Sequence, residues 1–413
     1  MAPESMAPQS FDVVVAGAGA AGLLAAATAA ARGRRTLLLE KNLRPGLKIL
    51  ISGGGRCNVT TTRSGQDLED QYGQRRGRFL RHALRTLPPA AVRALFEQLG
   101  VPLQEEDLEK LFPVSQQARD VLDALLRYAR DQGAELRAQA PLLAVRADGD
   151  AFAVTTPGAA LRAQSVVLAT GGRSYPKTGA TGDGYAIAAA FGHTITRTVP
   201  ALAPLWIEDA WLRELQGIVL QDVELSSLDA QGRVLCRRTR PILFTHKGLS
   251  GPAPMDLAGD VEEHAGAAVR FDFAPGRTAE QIEAEWLLAG RSQGRAHAES
   301  LLPAHLQARV QTALCQLAGC AEQPLATLAR DARRRLLALV KDLRVPVPKS
   351  LGFDHAEVTR GGVALDEIDP KTMQSKLQPG LFVCGELLDV DGPIGGFNFQ
   401  AAFATGLLAG RSA

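Results

Sequence analysis

Three glycines and one acid near the start of the chain have the spacing of a phosphate-binding turn. Gly17, Gly19 and Gly22 follow the apolar run Val13–Val15 in G-x-G-x-x-G order. Gly17 suits the tight turn, Gly19 a close approach of backbone to a pyrophosphate, and Gly22 the packing of helix on strand. The positive N-terminus of the following helix would hold the phosphates. Glu40 ends a second short apolar stretch, Thr36–Leu39, and is placed to accept hydrogen bonds from ribose hydroxyls. A lone glycine turn is weak evidence, but here strand, turn, alanine-rich helix, strand and acid come in the required order. The chemistry implied is dinucleotide binding.

Other groups would complete such a site. Gly53, Gly54 and Gly55 form a run whose entropic cost makes sense where backbone N–H groups line a ligand, with Ser52, Arg56 and Asn58 as added donors. Arg56 can pair with phosphate, and Lys48 is a second cation close by. Ala169-Thr170-Gly171-Gly172 ends another buried strand beside the same dinucleotide, and Gly395, Gly396 and Asn398 open a late small-residue helix. On the substrate side stand His246 and Lys247 in a Gly/Pro-rich loop, then Tyr175, Lys177 and Arg360. An imidazole titrates near neutrality, so His246 can serve as acid or base. Cys57 lies inside the glycine loop without a resolving partner nearby in sequence, which favours small-residue packing over redox work.

The elements that must position these groups follow from patterning. The 413 residues are 46% hydrophobic and 22% charged, ordinary for a globular chain of two or three domains. The formal charge of +2 gives no global field for nucleic acid or membrane. The clusters Arg75–Arg81 and Arg333–Arg335 read as solvated helix faces, because no aromatic residues interleave with them. Residues 1–10 read as a loose tail without signal-peptide features. Cys57, Cys236, Cys315, Cys320 and Cys384 show neither a disulfide framework nor zinc-ligand spacing, so a cytoplasmic protein without a metal is expected. Pro88-Pro89 and Ser115 mark helix starts, Asp183 suits an N-cap, and Thr278-x-x-Gln281 forms a capping box. Residues 193–275 alternate like a small β-domain, 276–343 are helical, and the end of the chain returns to strand, glycine turn and helix.

Taken together, Gly17–Gly22, KILISGGGRCNVT (48–60), Phe112–Leu125, Leu168–Ala201, FTHKGLSGP (244–252), Glu357–Gly362 and Leu381–Gln400, which holds GELLDVDGPIGGFNFQ (385–400), resemble the bacterial conserved flavoprotein family of NAD(P)/FAD-dependent oxidoreductases. That family includes aminoacetone-oxidase-like and bile-acid-dehydroxylation-type enzymes and is distantly similar to fumarate reductase flavoproteins. The resemblance implies an α/β fold: a two-part Rossmann-like FAD-binding domain of the glutathione-reductase type (1–192 and 356–413), an inserted β-barrel-like domain (193–275 and 344–355), and an all-helical subdomain (276–343). It also implies which positions touch FAD. These are Gly17, Gly19, Ala20, Ala21 and Gly22; Glu40, Lys41 and Lys48; Ser52, Gly53, Gly54, Gly55, Arg56, Cys57 and Asn58; Ala169, Thr170, Gly171 and Gly172; and Gly385, Glu386, Asp389, Gly395, Gly396, Phe397, Asn398, Phe399 and Gln400. One departure stands out: the family usually has Gly-Arg ahead of Phe112-Pro113, where this chain has Glu109-Lys110.

The expected activity is transfer of hydride or electrons between a small organic substrate and flavin. NAD(P)H is a possible transient co-substrate and oxygen the other possible redox partner. Only one glycine fingerprint opens a strand–helix unit, so NAD(P)H would visit without a Rossmann domain of its own. The alternatives are an enzyme acting on RNA bases, which predicts a basic face that the composition does not advertise, and a flavin-binding regulatory protein. Neither nucleic acid nor membrane is expected as a partner, and the oligomeric state is open.

Overall fold

A computed structural model describes residues 9–413, and the chain divides into two compact units. The first comprises Met1–Val199 and Glu357–Ala413, and the second Pro200–Ala356. The tail expected over residues 1–10 lies outside the described residues except for Gln9 and Ser10, which already belong to the first strand.

Strand β1 (Gln9–Ala16) runs through the middle of a seven-stranded sheet. It is parallel to β2 (Thr36–Leu39) on one side and to the strand Ala159–Leu168 on the other, so Val14 stands level with Leu37 and Val166. Val13, Val14 and Val15 are fully buried, as a parallel strand covered on both faces requires. The strand Glu135–Arg137 extends the sheet beyond β2, and an antiparallel hairpin, Ala144–Asp148 with Ala151–Thr156, extends the other side. The late strand Leu381–Val383 pairs in parallel with Val166–Leu168 and brings the end of the chain back to the beginning.

Helix α1 (Ala20–Ala31) explains why both ends are rich in small residues. All of it from Ala20 to Ala30 is buried. A Cβ added at Gly406 or Gly410 of the C-terminal helix Phe397–Ser412 would lie 2.3 Å from the carbonyl oxygen of Ala21 or Ala25, respectively. The two helices therefore touch backbone to backbone, which only glycine at these two positions allows. Both sequence halves of the Rossmann-like unit are joined at this contact.

The second unit contains two antiparallel sheets. One orders the strands Val219–Leu220, Ile242–Thr245, Gly248–Ser250, Leu205–Trp206 and Lys349–Ser350. The other orders Val234–Thr239, Glu224–Leu228, Ala268–Asp272 and Leu343–Pro346. Helices Ala279–Ser292, Ala308–Ala318 and Arg330–Asp342 bury Ile282, Trp286, Val310, Leu314, Leu336 and Val340 in one core with Phe244, Phe271 and Phe273. Sheets and helices, separate in the sequence reading, thus share a core. The switch into this unit comes at Pro200 and not at residue 193. Thr194 and Thr196 remain stitched to the returning segment, through Ala364 N–H to the Thr194 carbonyl (2.9 Å) and Thr196 N–H to the Gly362 carbonyl (2.8 Å).

Local signals fared unevenly. Thr278 and Gln281 form the reciprocal capping box, and Pro89 opens the helix Pro89–Gln98. Ser115 is not an N-cap, because the helix Ala118–Asp131 starts after Gln117. Asp183 is not one either: Gly182 caps that helix and the Asp183 carboxylate accepts from Lys41 at 2.6 Å. Glu109 adopts φ +58°, a left-handed conformation that favours glycine, the residue that the resemblance leads one to expect there. Among the described residues, no helix is long and apolar enough to cross a membrane.

Candidate functional site

The phosphate turn is built by close backbone contact. Gly17 has φ +102°, and a Cβ on it would lie 2.5 Å from the Ala169 carbonyl oxygen. A Cβ on Gly22 would lie 1.8 Å from the Gly17 carbonyl oxygen, whereas nothing comes within 4 Å of the Cβ position at Gly19. Gly19 is also the N-cap of α1, with no side-chain cap and no acidic residue in the first turn. The leading N–H groups, those of Ala20 and Ala21 among them, therefore meet no capping side chain, and a helix start of this kind can receive an anion. Glu40 is buried. Its Oε2 accepts from Ala18 N–H at 3.0 Å and its Oε1 from Asn42 N–H at 2.8 Å. The carboxylate thereby holds the turn itself, and a carboxylate with about four acceptor sites keeps capacity for ribose hydroxyls.

Lys48 is not aimed at a phosphate. Its Nζ donates to Ser174 Oγ at 2.5 Å and to Glu386 Oε2 at 2.6 Å. Glu386 Oε1 accepts from Ser174 Oγ–H (2.7 Å) and from Thr359 N–H (2.9 Å). Four stretches far apart in sequence are fastened at this one point. Ser174 and Thr359 escaped the sequence reading. They lie inside the family-matching stretches Leu168–Ala201 and Glu357–Gly362, and Gly172 marks their contact: a Cβ there would lie 2.5 Å from Thr359 Oγ1 and 2.8 Å from Glu386 Oε1.

Several side chains expected to meet the cofactor are committed to the protein. Arg56, expected to pair with phosphate, binds Glu106 Oε2 at 2.9 Å and Gln116 Oε1 at 2.8 Å, and lies over the Phe112 ring. Its charge is thus matched within a small antiparallel sheet that includes Leu103–Glu106 and Lys110–Pro113. Asp389 is buried against Arg76 (2.9 Å). Gln400, fully buried, accepts from Thr60 Oγ1–H and donates to the Leu87 carbonyl, both at 2.6 Å. Asn398 mimics a peptide, accepting from Gly392 N–H and donating to its carbonyl at 2.9 Å each. Phe397 meets the Tyr72 ring edge-on and Phe399 stacks on Phe403. Gly385 N–H donates to Thr405 Oγ1, Ser52 Oγ–H donates to the Ile49 carbonyl, and Lys41 holds Thr181 and Asp183.

What remains fits a dinucleotide. Asn58 Oδ1 and Thr170 Oγ1, on two of the implicated segments, are buried polar atoms without a hydrogen-bond partner. The C-terminal helix also starts without a side-chain cap, after Gly396 at φ +86°, whose backbone packs so tightly on Thr60 that a Cβ would lie 2.3 Å from its carbonyl oxygen. Orphaned buried atoms and uncapped helix starts call for a polar ligand.

Cys57 is fully buried, and burial pushes its thiol up to about 12 against a weaker opposing hydrogen bond from Ser52. It stays protonated at neutral pH and is packing, not redox machinery. Iodoacetamide at pH 8.5 on the native protein should therefore leave Cys57 unmodified while the partly exposed Cys236 reacts first. Peptide mass mapping checks this, and comparable labelling of both would refute it.

The substrate-side candidates fall in different units. Tyr175 and Arg360 belong to the first and His246 and Lys247 to the second. Tyr175 adopts φ +48° and is half-buried, its hydroxyl raised by burial and by the nearby Glu357 carboxylate. Arg360 pairs with buried Asp391 at 3.0 Å, while Lys177 is exposed. His246, exposed, and Lys247 form the two-residue turn between the strands Ile242–Thr245 and Gly248–Ser250.

Known proteins resemble this chain from end to end. It is 33% identical over 402 residues to the ribosomal RNA dihydrouridine synthase of Escherichia coli K12, covering 96% of both chains. It is 30% identical over 406 residues to the 3-dehydro-bile acid delta(4,6)-reductase of Clostridium scindens, covering 97% of this chain and 98% of that one. Among solved structures, a variant of E. coli quinol fumarate reductase FrdA aligns over 98% of this chain and 70% of that chain, with TM-score 0.51 and 16% identity, a likeness of fold. The profile of the HI0933-like protein Rossmann domain matches residues 11–412. Strand, glycine turn and returning C-terminal helix are thus those of a shared architecture, and the chain belongs to the HI0933-like family of FAD-binding Rossmann flavoproteins.

Proposed function

We propose that this flavoprotein is an FAD-dependent reductase that saturates a carbon–carbon double bond conjugated to a carbonyl. The observation that carries the reading is that two relatives at 30% identity or more, matched over nearly the whole chain, are both named for that kind of change. Dihydrouridine is uridine with two hydrogens added across a ring double bond conjugated to a carbonyl. A 3-dehydro delta(4,6) steroid has its double bonds conjugated to a ketone.

FAD, when bound, supplies the hydride chemistry. The chain binds and orients it: the start of α1 holds the pyrophosphate, Glu40 the ribose, and the Lys48–Glu386–Ser174 contact keeps the surrounding loops in register. The start of the C-terminal helix, free of a side-chain cap, would offer its N–H groups to an anionic group of the bound cofactor. Tyr175, whose hydroxyl remains protonated at neutral pH, offers a proton or hydrogen bond to a substrate oxygen. The five unpaired cysteines suit a reducing, cytoplasmic setting.

A second reading, a uracil ring within RNA as substrate, is favoured by the 33% match to the ribosomal RNA enzyme. Anaerobic titration with NADH and NADPH tests the reaction class. One of the two should bleach the yellow holoprotein, and 2-cyclohexenone or a uridine-containing RNA should restore the colour under argon. Restoration by oxygen alone, with hydrogen peroxide formed and neither alkene consumed, would make it an oxidase.

A further inference from the structure

The helix Gly73–Thr86 carries five arginines and no acidic residue in fourteen positions. At about 100° per residue, Arg75, Arg78, Arg81, His82 and Arg85 fall on one arc about 120° wide. All five are exposed, while Phe79, Leu80, Ala83 and Leu84 on the opposite side are buried. The carboxylates that meet this arc lie mostly beneath it. Glu69, with 3% of its side chain exposed, takes Arg81 and Arg85, and Asp389, with 6% exposed, takes Arg75. Arg78 has no acidic partner among the described residues, and only Asp366, at the Arg75 end, presents an exposed carboxylate to the arc. Solvent therefore meets a row of guanidinium groups about 15 Å long.

The same helix is fastened to the cofactor segment. Arg76 turns inward to Asp389 (2.9 Å) and Asp391 (3.2 Å), and Tyr72 Oη–H, just before the helix, donates to the Phe397 carbonyl at 2.8 Å. Whatever the outer face holds is held beside residues 385–400.

We infer that the arginine arc of this helix is a docking surface for the phosphate backbone of RNA, a partner class that rests on the uracil reading of the flavin site. Arginine forks match phosphate oxygens bidentately. The exposed arc contains no apolar side chain to insert into a bilayer, which argues against a lipid surface. The near-neutral total charge concealed this face because acidic residues elsewhere balance it.

The test uses FAD-loaded protein and a fluorescein-labelled oligouridine. Four arginines, each neutralising one phosphate of a single strand, should give a slope of log affinity against log salt of about −3. Arg78→Glu should weaken binding about tenfold or more and flatten that slope by ~1, while Arg78→Lys retains it. Equal flavin content in all three proteins verifies their folding. Absence of oligouridine binding by the wild type, or equal affinity and slope in Arg78→Glu, would overturn the inference. If Arg78→Glu weakens binding but the wild type, supplied with NADH or NADPH under argon to reduce its flavin, forms no dihydrouridine in bound RNA, docking stands and the uracil chemistry falls. Dihydrouridine formed equally well by Arg78→Glu would leave the chemistry standing and refute the docking surface.

Discussion

Gly22→Ala should yield a protein that no longer retains FAD, and Gly19→Ala should do the same by a different route. At Gly22 the added methyl meets backbone: the Gly17 carbonyl oxygen at 1.8 Å, the Gly17 carbonyl carbon at 3.0 Å and the Ala169 Cβ at 3.3 Å. No flexible side chain can swing away, and Gly17 is itself pressed on Ala169. Helix α1 must move off the turn, at an overpacking cost of about 1–3 kcal/mol and with displacement of the N–H groups that face the pyrophosphate. At Gly19 the backbone (φ −87°, ψ −171°) suits any residue and no protein atom lies within 4 Å of the methyl position. Gly19→Ala should therefore keep apo-protein stability within about 0.5 kcal/mol of wild type. Its methyl occupies the approach that the pyrophosphate needs, so FAD affinity should fall by at least about a hundredfold, roughly 2.7 kcal/mol. Denaturant melts of the apo forms and FAD titration by fluorescence separate the two effects. Wild-type FAD affinity in Gly19→Ala would remove the turn from the site.

That contrast shows which parts of the molecule are legible in sequence. Gly17, Gly19 and Gly22 could be assigned different tasks because a tight turn, a ligand approach and a helix contact each leave a mark within six residues. The capping box at Thr278 and Gln281 is read for the same reason. Ser115 misled because its residue type is permissive: a serine near a helix start is compatible with many turns, and the chain there places Gln117 at the cap. Charge pairing was not legible. Arg56 looks like a phosphate ligand until Glu106, fifty positions away, is seen on it, and Asp389 looks like a ligand contact until Arg76 is. Gln400 was grouped with the cofactor because the family resemblance implies it, yet its amide joins Thr60 to Leu87 in the core. Position along a motif indicates proximity to a site. It does not say which polar atoms the fold itself has already claimed; Asn58 Oδ1 and Thr170 Oγ1 are among the buried polar atoms left without a hydrogen bond on the segments in question.

The Lys48–Glu386 pair, 338 positions apart, is the strongest case of that kind, and breaking it should unfasten the site. Lys48→Met keeps the length and apolar stem of the side chain but leaves Glu386 Oε2 without its cation. The two side chains are 27% and 18% exposed, so the loss is smaller than for a fully buried pair, about 1–3 kcal/mol. Ser174, fully buried, loses the Nζ donor at 2.5 Å and keeps its own bond to Glu386. Because Lys48, Ser174 and Glu386 adjoin three different glycine-rich segments, flavin content should fall along with stability. Glu386→Gln should also be destabilising, since the amide sets an N–H₂ donor against the ammonium or gives up an acceptor for Ser174 and Thr359. The double variant Lys48→Met/Glu386→Gln should then cost less than the sum of the two singles, by ~1–2 kcal/mol, because the unpaired charge is removed together with its partner. Thermal melts and flavin-to-protein ratios for the four proteins close the cycle. Strict additivity would mean that the two groups merely sit side by side. Coupling in stability without loss of flavin would mean that the contact secures the fold and leaves the cofactor to the helix starts and backbone around it.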